Sequence, residues 1–469
     1  MEYVSTRGEA PVLGFADVLL AGLANDGGLY VPHNWPSFSS EEIRAMRGMP
    51  YADVALKILT PFVGTDISPS DLKAMVDAAY GSFRHPAVAP LVQIGPSHFV
   101  LELFHGPTLA FKDVAMQLLS RLMDHVLAKR GSNATIIGAT SGDTGGAAIS
   151  AFAKSERTDI FILFPKGRVS PVQQRQMTTS GAANVHAVAI EGTFDDCQAL
   201  IKAMFNDQRF REKTSLSGVN SINWARIMAQ IVYYFTAAAS LGSPDRKISF
   251  TVPTGNFGDI FAGYAAKRMG LPIDRLIIAT NENDILSRTL ATGRYEKTGV
   301  HATTSPSMDI EISSNFERLL FDAGGRDADG VRRMMQQLAQ SGSFALPEAT
   351  LAAIRAEFDA GSSDSQETAQ TIESFFTSSA YMLDPHTAVG VSVAGSRLGA
   401  SPMVTLGTAH PAKFPDAVKA ACGMSPELPP SHADLMARPE TFDCLPNDLT
   451  AVQTYIAERS RAVRTGASA

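Results

Sequence analysis

The fold is decided by the stretch ELFHGPTLAFKD at residues 102–113, where one lysine stands between an apolar strand and an amphipathic helix. The run at residues 99–104 is mostly apolar and predicts the strand, while Val114 and Leu118 begin a helical repeat. Lys112 therefore falls in the first helical turn, where a cation opposes the helix dipole. Such a lysine is either tolerated at the surface or kept for chemistry that uses the neutral amine, as in a Schiff base.

A turn of small residues follows the next predicted strand. The sequence IIGATSGDTGGAA at residues 136–148 runs from a strand through this turn into a helix. Its bare N–H groups, the helix N-terminus and the hydroxyls of Ser141 and Thr144 suit a carboxylate or a phosphate. The pattern also fits a plain strand-to-helix connection, because it lacks the Walker lysine and the dinucleotide-binding spacing.

A third turn of this type lies in ISFTVPTGNFGDIF at residues 248–261. Gly255 and Gly258 let the backbone approach a ligand closely, and Asn256 can donate through its side-chain amide. The helix that starts at Asp259 adds its positive end. Two turns of this type suggest that two anionic groups are bound, and phosphate is the expected ligand.

Together these pieces resemble the threonine synthase family, in the branch found in many bacteria and fungi, within the tryptophan-synthase-like pyridoxal phosphate enzymes. The resemblance covers nearly the whole chain and rests on six motifs in a fixed order: YVSTRG (3–8), GGLYVP (27–32), FKD (111–113), SGDTG (141–145), GNFGD (255–259) and LGTAHP (406–411). It implies an α/β fold of the tryptophan synthase β type, called fold type II. That fold has two parallel or mixed sheet domains, to which this chain adds an N-terminal supporting domain and a helical insertion.

The resemblance also implies roles in binding pyridoxal 5'-phosphate. Lys112 forms the Schiff base with the cofactor and, once released by substrate, moves protons. Thr408 offers its hydroxyl to the pyridine nitrogen, which leaves that nitrogen largely unprotonated. The phosphate region of the cofactor is held by Gly255, Asn256, Phe257 and Asp259.

On the substrate side, the resemblance places Ser141, Asp143 and Thr144 along the substrate amino acid. Many members of the wider group carry asparagine where this chain has Asp143, and an ionised aspartate cannot donate to the phenolate oxygen of the cofactor. The partner of that oxygen is therefore left open. Asp143 has the alternative role of capping the helix that follows.

Two groups of polar residues are candidates for binding a substrate phosphate. Lys166, Arg168 and Arg175 follow a predicted strand, and one or more of them can make charge-assisted hydrogen bonds to the phosphate, although basic residues in such places are usually solvated. Asn220, Asn223 and Arg226 form the second group, and a helix start rich in asparagine explains two of them without a ligand.

Length and pattern predict three regions in the 469-residue chain. Residues 1–95 form the N-terminal supporting domain, and residues 96–206 form a smaller α/β domain with the Schiff-base lysine and the substrate loop. Residues 207–469 form a larger α/β domain with the cofactor phosphate loop. Within it, residues 324–379 are mostly helical and predict an insertion, with the polar stretch 361–364 connecting two amphipathic helices.

Composition limits the partners and the location. A formal net charge of −7 with 19% charged residues predicts no broad basic surface for nucleic acid. No apolar run is long enough for a bilayer and no signal peptide is recognisable, so no membrane association is expected. Three scattered cysteines predict neither a disulfide framework nor a metal site, and they favour the cytoplasm.

The predicted function is the conversion of O-phospho-L-homoserine and water to L-threonine and phosphate, by a monomer or homodimer. Two alternatives remain open at this point. One is a lyase on the same fold, either a phospho-lyase or a threonine or serine dehydratase. The other is a protein that binds pyridoxal phosphate without catalysis.

Overall fold

The structure is a computed structural model that describes the backbone of residues 1–140 and 142–466 and the side chains up to residue 463. The strands are β1 (Glu2–Ser5), β2 (Leu13–Gly14), β3 (Tyr30–Pro32), β4 (Leu91–Gln93), β5 (His98–Glu102), β6 (Ala134–Ala139), β7 (Thr158–Pro165), β8 (Val185–Glu191), β9 (Leu216–Gly218), β10 (Ile248–Pro253), β11 (Ile273–Thr280), β12 (Arg294–Glu296), β13 (Ser343–Ala345), β14 (Phe358–Ser362), β15 (Met403–Gly407) and β16 (Asp443–Pro446). The helices are α1 (Phe15–Ala21), α2 (Ser40–Ala45), α3 (Tyr51–Val63), α4 (Pro69–Tyr80), α5 (Lys112–Lys129), α6 (Asp143–Phe152), α7 (Pro171–Thr178), α8 (Phe194–Asn206), α9 (Gln208–Thr214), α10 (Trp224–Ser240), α11 (Gly258–Arg268), α12 (Ile285–Thr292), α13 (Phe316–Ala323), α14 (Ala328–Ser341), α15 (Glu348–Glu357), α16 (Ser365–Ser379), α17 (Pro385–Gly395), α18 (Pro415–Cys422), α19 (Leu449–Arg459) and α20 (Arg461–Gly466).

Two larger sheets organise the fold. One has six strands in the order β14-β11-β10-β15-β5-β4, parallel except for the antiparallel pair β4 and β5. The other has five parallel strands in the order β16-β8-β7-β6-β9. Every residue of β7 and of β10 is buried, as expected for parallel strands covered by helices on both faces. The prediction of an α/β fold with parallel and mixed sheets is confirmed.

The six-stranded sheet brings distant segments of the chain to one edge. Strands β5, β15 and β10 are parallel neighbours, so their C-terminal ends lie side by side. Lys112 follows β5, Thr408 follows β15, and the Gly255 turn follows β10. Ligands in parallel sheets bind at this kind of edge. The topology therefore places three of the predicted site segments together.

The sheets do not follow the predicted sequence ranges. Strand β5 lies within residues 96–206 but belongs to the six-stranded sheet, where it pairs with β15. Strand β16 lies within residues 207–469 but pairs with β8 in the five-stranded sheet. Parallel pairing needs crossover connections, which let the chain leave one sheet and return to it much later. The division of the chain into domains stays a prediction.

One part of the predicted helical insertion is wrong. Helices α15 and α16 lie where they were expected, but the segment Phe358–Ser362 between them is the edge strand β14 and not a polar connection. It pairs in parallel with β11 over five residues. Its sequence, FDAGS, has little strand propensity, so backbone pairing with the sheet decides its conformation.

Helix α10 lies at the centre of the molecule and is buried on nearly every side. The ring of its first residue, Trp224, is 6.0 Å from that of Tyr3 and 5.6 Å from that of Phe62, which ties the N-terminal region to the core. A helix that is apolar all round is typical of a buried element. In residues 1–140 and 142–466, no helix combines the length and the apolar character required to cross a membrane.

Candidate active site

Lys112 is the first residue of α5 and is buried, with 7% of its surface exposed. Its Nζ lies 3.6 Å from Oδ2 of Asp143 and donates a hydrogen bond to Oγ of Ser307 at 3.5 Å. Burial lowers the pKa of the Lys112 ammonium, although the Asp143 carboxylate acts in the opposite direction. The positive charges of Arg226 and Lys413 lower that pKa further. The surface interpretation of Lys112 is therefore wrong, and its surroundings favour the neutral amine.

The loop before α5 is fixed by a buried carboxylate. Asp113 accepts hydrogen bonds from the backbone N–H and the hydroxyl of Thr108, both at 2.7 Å. Gly106 packs so tightly on Asp113 that a Cβ there would collide with the carboxylate side chain. The backbone N–H of Phe111 donates to the carbonyl of Thr408 at 2.8 Å. These contacts fix the position of the buried lysine relative to the end of β15.

Asp143 lies between two lysines. Its Oδ1 is 3.1 Å from Nζ of Lys413 and accepts a hydrogen bond from Nε2 of Gln173 at 2.9 Å, while Oδ2 faces Lys112. Burial raises the pKa of the Asp143 carboxyl, but the ammonium groups of Lys413 and Lys112 hold it well below its ordinary value. The capping alternative is wrong, because Gly142 is the N-cap of α6 and no side chain caps it.

The predicted phosphate turn presents backbone donors. The carbonyl of Gly255 accepts a hydrogen bond from Oγ of Ser313 at 2.6 Å, and the carbonyl of Asn256 accepts one from Nδ2 of Asn315 at 2.9 Å. Phe257 has a φ of 62° and forms the N-cap of α11. In the described part of the chain, the N–H groups of Gly255, Asn256 and Phe257 have no hydrogen-bond partner. The two hydrogen bonds to its carbonyls hold the turn in place. Its free N–H groups and the N-terminus of α11 together form an anion-binding site, which we call the cradle.

Thr408 follows directly after β15 and is buried. Its backbone N–H donates to Oγ1 of Thr387 at 3.1 Å, but its own hydroxyl has no partner among the described residues. A buried hydroxyl without a partner is costly, so a ligand acceptor is expected there. The buried Lys112, the cradle and this hydroxyl match the aldehyde, phosphate and ring nitrogen of pyridoxal phosphate, so the residues fit the cofactor.

Three family models match the chain in succession. They are described as Threonine synthase N terminus (residues 2–80), Pyridoxal-phosphate dependent enzyme (84–366) and Threonine synthase, C-terminal (387–456). A threonine synthase of Pseudomonas aeruginosa is 55% identical over 461 residues, which cover 98% of each chain. The chain belongs to the threonine synthase family. The predicted family is thereby confirmed, and the pyridoxal-phosphate model confirms the predicted cofactor.

Solved structures of threonine synthases have the same fold. The structure of a pyridoxal-phosphate-bound threonine synthase from Brucella melitensis matches with a TM-score of 0.97 and 68% identity, covering 98% of this chain and 100% of that chain. The threonine synthase from yeast matches with a TM-score of 0.93 and 39% identity, covering 98% of both chains. The predicted fold type II architecture is confirmed by these matches.

Asp259 is the last residue of the GNFGD motif, but its carboxylate faces helix α10. Oδ1 accepts hydrogen bonds from the hydroxyls of Tyr233 and Tyr234, the latter at 3.2 Å. Oδ2 is buried without a partner in the part of the chain that is described. Burial raises the pKa of Asp259 to about 7, although the two tyrosine hydroxyls act to lower it. A partly neutral acid repels a nearby phosphate less than an ionised one does.

Ser307 and His386 are site residues that the sequence did not reveal. The backbone N–H of Ser307 donates to Nε2 of His386 at 3.2 Å, and Nδ1 of His386 lies 3.0 Å from Oδ1 of Asp384. Because Nε2 accepts a hydrogen bond, the ring proton sits on Nδ1 and is donated to Asp384. Asp384 is the N-cap of α17, and Pro385 lies in the first turn of that helix. Ser307 lies outside all six sequence motifs, so no sequence signal could have found it.

Lys413 was also missed, although it follows the LGTAHP motif closely. It is 0% exposed and donates hydrogen bonds to the carbonyl of Thr108 at 2.7 Å and to Oε1 of Gln176 at 2.6 Å. Together with Asp143 at 3.1 Å, these partners use all three ammonium donors. A lysine that ends a short 3-10 turn looks like a surface residue in the sequence, and only the tertiary contacts reveal its burial.

Two of the predicted ligands of the substrate phosphate, Lys166 and Arg168, are on the surface, whereas Asn223 and Arg226 of the second group are buried. The side chains of Lys166 and Arg168 are exposed, and Nζ of Lys166 lies 3.3 Å from the carboxylate of Glu191. Thr144 is half-buried in the first turn of α6, beside Asp143. Ser141 lies outside the described residues. The roles of these residues in a threonine synthase reaction stay predictions.

Proposed function

We propose that this chain converts O-phospho-L-homoserine and water to L-threonine and phosphate with pyridoxal phosphate as cofactor. The observation that carries the proposal is the buried Lys112, 3.6 Å from Asp143, at the sheet edge shared with Thr408 and the Gly255 turn. The relation to threonine synthases over 98% of the chain supports the choice of reaction. A dehydratase and a phospho-lyase are the rivals to be separated by experiment.

In this proposal Lys112 has two tasks. It holds the cofactor through the aldehyde carbon, and after substrate binding its free amine removes the proton from the substrate α carbon and then one from the β carbon. The bound cofactor supplies the electron sink that makes these carbons acidic. Because burial lowers the pKa of Lys112, more of the neutral amine is present near neutral pH than in an exposed lysine.

Asp143 and Lys413 act as positioning residues in the same proposal. The ionised Asp143 accepts from Lys413 and Gln173 and thereby fixes the side of the pocket that Lys112 faces. An ionised carboxylate only accepts hydrogen bonds, so Asp143 does not donate to the phenolate oxygen of the cofactor. Ser141 and Thr144 are proposed to bind the substrate amino acid alongside it.

The remaining proposed roles belong to the Gly255 turn and to Thr408 at the end of β15. The N–H groups of Gly255, Asn256 and Phe257 bind the cofactor phosphate, and the Thr408 hydroxyl donates to the pyridine nitrogen. Asp259 supports this turn from its position in α11.

Lys166 and Arg168 are proposed to bind the substrate phosphate as charge develops on it during elimination. For this, Lys166 must leave Glu191, which costs little because an exposed ion pair contributes about 0 to 1 kcal/mol.

A product assay tests the proposal. Purified enzyme with bound cofactor, given O-phosphohomoserine in isotopically labelled water, should release threonine that carries solvent oxygen in its hydroxyl group. Free threonine and serine should be deaminated far more slowly, because they lack the phosphate whose contacts with the enzyme stabilise the transition state. Dominant release of 2-oxobutyrate from O-phosphohomoserine would replace the synthase with the phospho-lyase.

Three broader features belong to the proposal as well. We expect the enzyme to act in the cytoplasm as a monomer or homodimer, without nucleic acid as a partner. We also expect three regions, at residues 1–95, 96–206 and 207–469, with the insertion near 324–379.

A further inference from the structure

Arg226 is a buried cation whose binding capacity is largely unused. It lies in the first turn of α10, with 4% of its surface exposed. Its Nη1 donates to the carbonyl of Val219 at 3.2 Å, while Nε is buried without a hydrogen-bond partner among the described residues. No acidic side chain of residues 1–140 and 142–463 forms an ion pair with it. A guanidinium in this state is expensive to bury, so an anion is expected beside it.

Two other buried cations show how unusual this is for the protein. Arg318 donates to the carbonyls of Tyr30 and Ile222 and to the side chain of Asn315. Lys413 uses all three of its donors. Burial lowers the pKa of both arginines, that of Arg226 to about 10 and that of Arg318 to about 9, so the difference between them lies in their hydrogen bonds. Arg226 therefore differs from these two structural cations, because its buried Nε has no hydrogen-bond partner among the described residues.

The position of Arg226 indicates which anion it meets. The next residue, Ile227, lies 3.5 Å from where a Cβ on Gly258 would be, so the start of α10 packs against the start of α11. Asn315 joins the two starts, donating to the carbonyls of Ser221 and Asn256. The positive charge of Arg226 also acts on Lys112, whose pKa it lowers. Arg226 thus belongs to a helix start that packs beside the cradle.

We propose that Arg226 binds the phosphate group of pyridoxal phosphate and supplies the full positive charge that the backbone cradle lacks. The N–H groups of the Gly255 turn and the end of α11 contribute only partial charges, whereas the phosphate is a dianion. The planar guanidinium can meet two phosphate oxygens at once. The inference rests on the proposed function only in that pyridoxal phosphate is the cofactor.

The test compares pyridoxal phosphate with pyridoxal, which shares its aldehyde and ring but has no phosphate. Both are titrated into cofactor-free enzyme, and the ratio of the two dissociation constants isolates the phosphate contribution. Arg226→Gln should lower the preference for pyridoxal phosphate by roughly 10- to 150-fold, the range for a hydrogen bond to a charged group. Its affinity for pyridoxal should stay within about threefold of that of the unchanged protein.

Arg121→Gln is the matched control, because Arg121 is a half-buried arginine whose Nη1 donates within α5 to the carbonyl of Gln117. It should leave the ratio unchanged. If Arg226→Gln does not fold, Arg226→Lys is the second variant. It keeps the positive charge but cannot meet two phosphate oxygens at once, so it should lower the ratio of the two dissociation constants by about fivefold or more. A phosphorus-31 spectrum of the bound cofactor should then also shift relative to the unchanged protein.

Several results overturn the inference. An unchanged ratio in the variant that folds shows that the phosphate does not meet Arg226. An equal loss of affinity for both ligands shows a purely structural role. A raised KM for O-phosphohomoserine with an unchanged ratio assigns Arg226 to the substrate phosphate instead. None of these results removes the threonine product, so failure here is distinct from failure of the proposed reaction.

Discussion

The cofactor half of the site and the proposed substrate-phosphate half are built in different ways. Around Lys112 the charged groups are buried and locked, with Asp143 held by Lys413 and Gln173. Lys166 and Arg168 lie on the surface, and Lys166 is paired with an equally exposed glutamate. Buried charges keep their geometry because breaking a pair is costly, whereas exposed pairs exchange with water at little cost. The difference indicates preformed geometry around Lys112 and adaptable geometry at the proposed ligands of the substrate phosphate.

The largest effect is expected in the cofactor half, from Lys112→Ala. Turnover should fall by more than about 1,000-fold, because the side chain supplies both the covalent link and the base. Borohydride reduction followed by peptide mass spectrometry should find no cofactor adduct in this variant and an adduct on Lys112 in the unchanged protein. Lys129→Ala, an exposed change on the same helix, is the control and should keep full turnover. An adduct on any other lysine contradicts the assignment.

A smaller but still large effect is expected from Lys413→Met. The change leaves Oε1 of Gln176 without its donor, takes from the carbonyl of Thr108 one of its two donors and removes one of the two cations at Asp143. The free energy of unfolding should therefore fall by about 3 to 5 kcal/mol. Urea unfolding measures this loss. The exposed Lys419→Met should change it by less than about 0.5 kcal/mol.

A double variant sharpens the interpretation of Lys413. Combining Lys413→Met with Asp143→Asn should cost less than the sum of the single changes, since both remove the same interaction. The difference should be roughly 0.5 to 3 kcal/mol. Strict additivity would mean that the two side chains do not stabilise each other.

The smallest effect is expected in the substrate-phosphate half. Lys166→Ala and Arg168→Ala should each raise the KM for O-phosphohomoserine by roughly 5- to 30-fold, equivalent to about 1 to 2 kcal/mol, while cofactor affinity stays unchanged. The exposed Lys154→Ala serves as the control in the same steady-state assay. If KM does not move in either variant, the substrate phosphate is bound by other residues and the contrast between the halves loses its functional meaning.

The sequence predicted the parts of the site that are coded locally. Lys112 and the Gly255 turn each follow an apolar run with strong turn signals, and strand periodicity places them at strand ends. The helix entry at Asp384 was predictable for the same reason, since a cap and a proline act on their own neighbours. Such features need no knowledge of the rest of the chain.

The parts that were missed depend on long-range packing. Ser307 reaches the site because His386 accepts from its backbone, and nothing near it in the sequence signals this. Lys413 is buried only because Thr108, Gln176 and Asp143 surround it. Strand β14 was missed because its pairing with β11 overrides a weak local preference. Side chains and edge strands of this kind acquire their role from tertiary context.

The hydrogen bond from Lys413 to Thr108 has a consequence for biosynthesis, because it joins residues 305 positions apart. At a translation rate of about 5 to 20 residues per second, the ribosome needs roughly 15 to 60 seconds to add that length of chain. During this interval the nascent polypeptide carries Asp143 without Lys413, the second of its two cationic partners. Contacts of such high sequence separation also form slowly. Cofactor capture should therefore be a post-translational event, which exposes the unfinished pocket to chaperones and proteases first.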